Sequence, residues 1–125
     1  MVQKHAAFSR ANRLQDKASY NRVFKQPSRS IDEYFTVLWC RNGIDRSRLG
    51  MAIGKKNLKR AVDRNLVKRV VRESFRIHLE ELAGVDVVVL SRRGLPLHER
   101  QLLRVSLDRH WRRLARLLQQ NSNTE

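Results

Sequence analysis

The residue pattern predicts an α+β fold, a single αβ sandwich with helices packed on a central, mostly antiparallel sheet. Two observations lead there. A chain of 125 residues, 41% of them hydrophobic, is long enough for one core and too short for two domains. Segments with the two-residue period of a strand, or a short apolar run, are interleaved with segments whose apolar residues recur every three or four positions. The order is helix, strand, strand, helix, strand, helix. The expected domain covers residues 12–118, with a flexible N-terminus (1–11) and a disordered polar tail (119–125).

Asp16 is placed to N-cap a short helix ending at Phe24 or Lys25, with Tyr20, Val23 and Phe24 on one side. Pro27 stops it, and the residues before Glu33 leave room for a short extra strand. "EYFTVLWCR" (33–41) is aromatic and β-branched, hence a strand. Its alternation puts Phe35, Val37 and Trp39 on one face, and Tyr34, Thr36, Leu38 and Cys40 on the other. Asn42-Gly43 marks a turn. In "RLGMAIGKK", Leu49, Met51 and Ile53 alternate with Gly50, Ala52 and Gly54. The nearly bare face admits close approach by a packed helix or by a ligand. A long helix is expected from about Lys59 to Leu82, roughly 36 Å. Its apolar stripe runs Val67, Val70, Val71, Ser74, Phe75, His78, Leu79, Leu82, and Gly84 suits the position after its end. "DVVVLSRRG" reads as a central or parallel strand. A last helix, started by Leu95-Pro96-Leu97 and ending near Leu118, carries Leu103, Leu107, Trp111, Leu114 and Leu118.

Charge supplies the functional signal. Lys and Arg number 27 against 12 Asp and Glu, a formal net charge of +15. Self-repulsion of that size opposes compactness, and a polyanionic partner relieves it. The excess is concentrated between Lys55 and Arg76, where nine Lys or Arg face only Asp63 and Glu73. Lys55, Lys56, Lys59 and Arg60 lie at or before the helix start, where cations oppose the dipole. Arg60, Arg64, Lys68, Arg72 and Arg76 recur every fourth residue and form a ridge, with Arg69 and Asn65 beside it. A merely solvated helix mixes signs; a nearly one-signed ridge points to phosphates. Five aromatics, Tyr20, Phe24, Tyr34, Phe35 and Trp39, lie in the first third of the chain. Each is a core residue or a ring on which an unpaired base stacks.

Other classes find little support. Cys40 is the single cysteine, which excludes an internal disulfide and fits a reducing cytosol. No apolar run reaches the length of a membrane span, and no secretory signal or nucleotide-binding glycine motif is present. His5, His78, His98 and His110 are far apart, and the carboxylates are scattered. No catalytic residue and no metal site is expected in the chain, so any chemistry belongs to a partner.

The order and spacing of these segments resemble the protein subunit of bacterial ribonuclease P. Arg60, Arg64-Asn65, Lys68-Arg69 and Arg72-Glu73-Ser74-Phe75-Arg76 match that family's Arg- and Asn-rich helix. "LGMAIGKK" matches the strand that leads to its paired lysines, Lys55 and Lys56. Asn12-Arg13-Leu14, Tyr20 and Val23-Phe24 match its N-terminal helix; "DVVVLSRRG" and "LDRHWRRLAR" match its last strand and helix. Leu66 departs from the pattern, which has Arg there.

The resemblance implies a cytoplasmic ribonucleoprotein endonuclease that removes the 5′ leader of precursor tRNA. It implies that the partners are the catalytic RNA and precursor tRNA, with no membrane and no small-molecule substrate. Magnesium would be held mainly by the RNA. Lys55, Lys56, Arg60, Arg64, Asn65, Lys68, Arg69 and Arg72 would face the catalytic RNA, and Arg13, Tyr20, Phe24 and Tyr34 the leader. The implied fold has a left-handed βαβ crossover, as in a domain of a small-subunit ribosomal protein. A structural RNA-binding protein of that fold, such as a ribosomal protein, and an autonomous metal-dependent nuclease are the alternative readings.

Overall fold

A computed structural model describes the backbone of residues 10–123 and the side chains of residues 10–120. Its elements are α1 (Lys17–Lys25), β1 (Ser28–Ile31), β2 (Phe35–Arg41), β3 (Arg48–Ala52), α2 (Ala61–Ile77), β4 (Val85–Ser91) and α3 (Arg100–Asn123). The sheet order is β1-β2-β4-β3. β1 and β4 each pair antiparallel with β2, and β3 pairs parallel with β4. The parallel pair is joined through α2, the expected crossover unit. β4 is both central and parallel, which is why it needs an apolar run.

The sheet separates two cores. On one face α2 and α3 cover Phe35, Val37, Trp39, Leu49, Val87 and Val89, with Phe75 and Trp111 edge to face at 5.4 Å between ring centres. The whole expected stripe of α3 is buried there. Ser74, a polar residue on the α2 stripe, is there because its hydroxyl accepts the Trp111 indole N–H at 2.8 Å. On the other face α1 covers a smaller core of Leu14, Val23, Leu38 and Val88. Asp16 caps α1 as expected, its carboxylate accepting the Ser19 amide at 3.0 Å.

Four expectations are corrected. α2 begins at Ala61 and ends at Ile77, so it is about 25 Å long rather than 36 Å. The chain leaves the helix at His78 and continues through a 3₁₀ turn, Glu80–Leu82. Leu79 and Leu82 still reach the core, so the apolar spacing runs on across the break. His78 does not fill the core stripe; its ring sits between Glu81 and Asp108 of α3.

The other two corrections lie at the end of α3 and at the start of β2. α3 continues to Asn123, beyond the Leu118 end expected for it and into the residues expected to form a disordered tail. Of the expected flexible N-terminus, residues 1–9 lie outside the described residues and Arg10–Asn12 form a 3₁₀ turn. Tyr34 does not share a face with Leu38. Asp32 accepts the amides of both Tyr34 and Phe35 (3.0 and 2.9 Å), so β2 starts only at Phe35 and the alternation does not reach back to Tyr34.

Asp86 is a buried charge within the apolar strand β4. Arg48 on β3 grips it with two bonds of 2.8 Å, Asn42 donates at 2.9 Å, and Arg22 of α1 lies at 3.5 Å. Paired in this way, the carboxylate ties β4, β3 and α1 together.

Candidate nucleic-acid interface

β3 is an edge strand, and an edge leaves backbone groups unpaired. Here the edge is only partly closed. The Leu14 amide donates to the Leu49 carbonyl at 2.9 Å, and Arg13 pairs with Leu49 in an isolated parallel bridge. One step along, the Met51 amide donates to the Tyr20 hydroxyl at 3.3 Å. Gly50 makes this possible. A methyl group built on it would lie 2.6 to 2.7 Å from the phenol end of Tyr20. At Gly50 the bare strand face therefore receives a helix side chain, the first of the two readings the sequence allows; at Gly54 nothing approaches.

Beside this edge runs a cleft of about 330 Å³. Arg13, Leu14 and Tyr20 form one wall, Gly50 and Met51 the floor, and Asn65, Lys68 and Arg72 of α2 the other wall. The spacing of 3 and 7 residues puts the α2 trio on one side of the helix. The lining holds three cations and no carboxylate. Arg72 is held below the usual guanidinium range, first by burial and then by the neighbouring Arg13 and Arg69. It stays charged, so an anion entering the cleft meets cations that already repel one another.

The other expected site residues are distributed around this cleft. Phe24 stands one turn beyond Tyr20 on α1 and is 44% exposed, so its ring is available. Lys55 and Lys56 are exposed on the turn after β3, a turn pinned by Asn57 donating to the Ser91 carbonyl at 2.9 Å. Arg60 is exposed at the N-cap of α2, 4.0 Å from Asp63. Arg64 turns back and donates to the Leu58 and Lys59 carbonyls, both at 2.9 Å. It therefore shapes the entry to α2. Arg69 lies on a neighbouring groove with Leu66 and Arg100. Leu66, where the family pattern has Arg, packs against the main core.

Tyr34 does not join Tyr20 and Phe24. It packs against the α2–α3 core, on the opposite side of the sheet. Leu14 and Met51 line the cleft without having been expected there, since nothing but tertiary pairing of the Arg13-Leu14 segment with β3 brings them in. Asp86 did carry a sequence signal: an acid in an apolar strand needs buried partners. Among the described residues, no three His, Cys, Asp or Glu side chains converge as a metal site would require. No helix there is long and apolar enough to cross a membrane.

Residues 8–115 match the family model described as Ribonuclease P. The ribonuclease P protein component of Histophilus somni (strain 2336) is 41% identical over 114 residues, covering 91% of this chain and 96% of the relative. That of Pseudomonas aeruginosa is 44% identical over 110 residues, covering 87% of this chain and 82% of the relative. Among solved structures, the RNase P protein from Thermotoga maritima superposes with a TM-score of 0.71 at 34% identity, covering 81% of this chain and 96% of that one. That from Staphylococcus aureus gives 0.70 at 29% identity, covering 85% and 96%.

Proposed function

The chain belongs to the ribonuclease P protein family, the protein component of a ribonucleoprotein endoribonuclease in tRNA 5′ processing, and from that premise we propose how its surface serves RNA. The cleft between the β3 edge and α2 is the place where the single-stranded 5′ leader of precursor tRNA meets the catalytic RNA. Lys68 and Arg72 hold phosphates there, with Arg13 on the facing wall. Tyr20 and Phe24 offer rings to unpaired bases on the leader side. Lys55, Lys56 and Arg60, exposed around the start of α2, and Arg69, exposed at its middle, extend the contact to the catalytic RNA. Arg64 supports it by fixing the loop before the helix.

The observation behind this reading is the convergence of three cations and a half-buried tyrosine on one cleft with no carboxylate in its lining. That donor set suits phosphate and does not suit a divalent cation, which requires oxygen ligands. Magnesium is accordingly assigned to the RNA, and with it the hydrolysis of the phosphodiester. The chain's own part is to bind, to neutralise charge and to position the leader. Its place of action is the cytoplasm, where precursor tRNA is made. Family membership favours this over a ribosomal role.

A leader-length series tests the reading. Precursor tRNAs with leaders of 0 to about 10 nucleotides are titrated with the RNA alone and with RNA plus protein. Affinity is expected to rise with leader length only when the protein is present, reaching a plateau once the cleft is filled. Equal length dependence with and without the protein overturns the proposal.

A further inference from the structure

A second cationic surface lies on the opposite edge of the sheet. α3 carries Arg109, Arg112, Arg113 and Arg116. At 3.6 residues per turn, these four fall within about 100° of the helix circumference. With Ser30, Ile31 and Asp32 they line a groove of about 360 Å³ between α3 and β1. Arg109 has acidic neighbours, Asp32 at 3.4 Å and Glu33 at 3.9 Å. Arg112, Arg113 and Arg116 have none among the described residues. Asp32 is already committed inward, accepting the Ser106 hydroxyl at 2.5 Å.

The wall of the groove also holds His110, 3% exposed, with Nδ1 on the Ser30 hydroxyl at 2.7 Å. Its Nε2 lies 3.2 Å from Asp32 but is not aligned to form a hydrogen bond. Ile31, 50% exposed on β1, adds an apolar rim. The groove therefore has a buried, hydrogen-bonded wall, carries an excess of unneutralised guanidinium, and offers a small apolar surface.

β1 and β3 are the two outer strands, separated by three interstrand spacings, roughly 14 Å. The α3 groove and the β3 cleft thus border opposite edges, and one local run of phosphates does not fill both. We infer that the groove between α3 and β1 is a second phosphate-backbone contact, taking a segment of the ribonuclease P RNA distinct from the one that meets α2. The inference builds on the functional reading above, in which RNA is the partner.

The test measures the salt dependence of binding to the cognate ribonuclease P RNA. The variant is the triple substitution Arg112→Ala, Arg113→Ala, Arg116→Ala, which spares the Asp32-linked Arg109. The slope of log K against log salt is expected to fall by about 2 to 3. Affinity for a short single-stranded leader oligonucleotide should stay at the parent value, and the triple Arg→Lys variant should retain the slope. In a Cys40→Ser background, an iron chelate tethered at Arg113→Cys is expected to cut the RNA at positions different from those cut from Val62→Cys on α2. An unchanged slope for the alanine triple, where Lys68→Ala does lower it, overturns the second contact and leaves the cleft reading standing. Coincident cuts from the two tethers overturn it as well. If neither set of substitutions moves the slope, the cleft reading fails with it.

Discussion

Replacing Gly50 by Ala separates the position of Tyr20 from the stability of the fold. The new methyl carbon would lie 2.6 Å from the Tyr20 hydroxyl and 2.7 Å from two ring carbons. Ordinary carbon contacts need about 3.5–4.0 Å, so the phenol end has to move by roughly 1 Å. It is the far end of a half-exposed side chain, so it can swing outward. Doing so breaks the Met51 amide bond to the hydroxyl, already long at 3.3 Å. Such a bond contributes about 0.5–1.5 kcal/mol. Alanine in a strand recovers about 0.5–1 kcal/mol relative to glycine. The two nearly cancel, and urea unfolding is expected to change by less than about 1 kcal/mol. Binding is expected to respond differently. If Tyr20 stacks on a leader base, moving it costs about 1–3 kcal/mol, a roughly 5- to 150-fold loss of affinity. Fluorescence anisotropy with leader-bearing precursor tRNA measures this, and mature tRNA is the control that should not change. Tyr20→Ala should lose the same amount. Retention of the parent's leader preference in Gly50→Ala would refute the stacking role. A stability loss above about 3 kcal/mol would show instead that the ring is locked in the core.

Other perturbations address the rest of the fold. Lys68→Ala and Arg72→Ala should each lower the salt slope of RNA binding by about one, and Arg72→Ala should do so without loss of thermal stability, because it relieves repulsion by Arg13 and Arg69; a lowered melting temperature would contradict that. Asp86→Ala strands Arg48 against the sheet and should cost about 3–5 kcal/mol, with Arg48→Met in the same chain recovering most of it in urea titrations. Stability should also fall in two acid windows. Burial depresses His110 despite the nearby Asp32, so the unfolded chain takes up a proton that the native state refuses, and stability declines as pH drops below about 6.5. Burial works against ionised Asp32, but the Ser106 hydroxyl and the Phe35 and Tyr34 amides outweigh it and hold it at about 2, so its contribution is present above about 4 and is lost as pH falls toward 2. Urea midpoints against pH should lose the first window in His110→Asn and the second in Asp32→Asn.

Much of the fold was legible because periodicity reports burial directly. The stripe of α3, the two faces of β2 from Phe35 onward and the capping of α1 by Asp16 all follow from residue spacing. Local spacing misleads where a side chain's partner is distant in sequence. The α2 stripe continues through Leu79 and Leu82 with helical spacing, yet the helix stops at Ile77. His78 reaches Asp108, thirty residues away. Tyr34 is displaced by Asp32 bonding to two amides, a turn that alternation alone does not reveal. The pairing of Arg13-Leu14 with β3, which creates the cleft, is tertiary and left no local trace.

The basic ridge illustrates the same limit more sharply. A step of four residues turns a helix by about 40°, so the four steps from Arg60 to Arg76 turn it by about 160°. A row that looks continuous in sequence therefore passes around nearly half of the helix and cannot face one partner throughout. Its members divide accordingly: Arg60 stands at the open N-cap, Arg64 folds back onto the preceding carbonyls, Lys68 and Arg72 enter the cleft, and Arg76 pairs with Glu73. The third and fourth stand across the cleft from Arg13. What marks the site is thus the meeting of part of that row with Arg13 and Tyr20 across an incompletely closed sheet edge. In the proposed reading, the rest of the charge supports the helix or reaches RNA from the exposed start of α2.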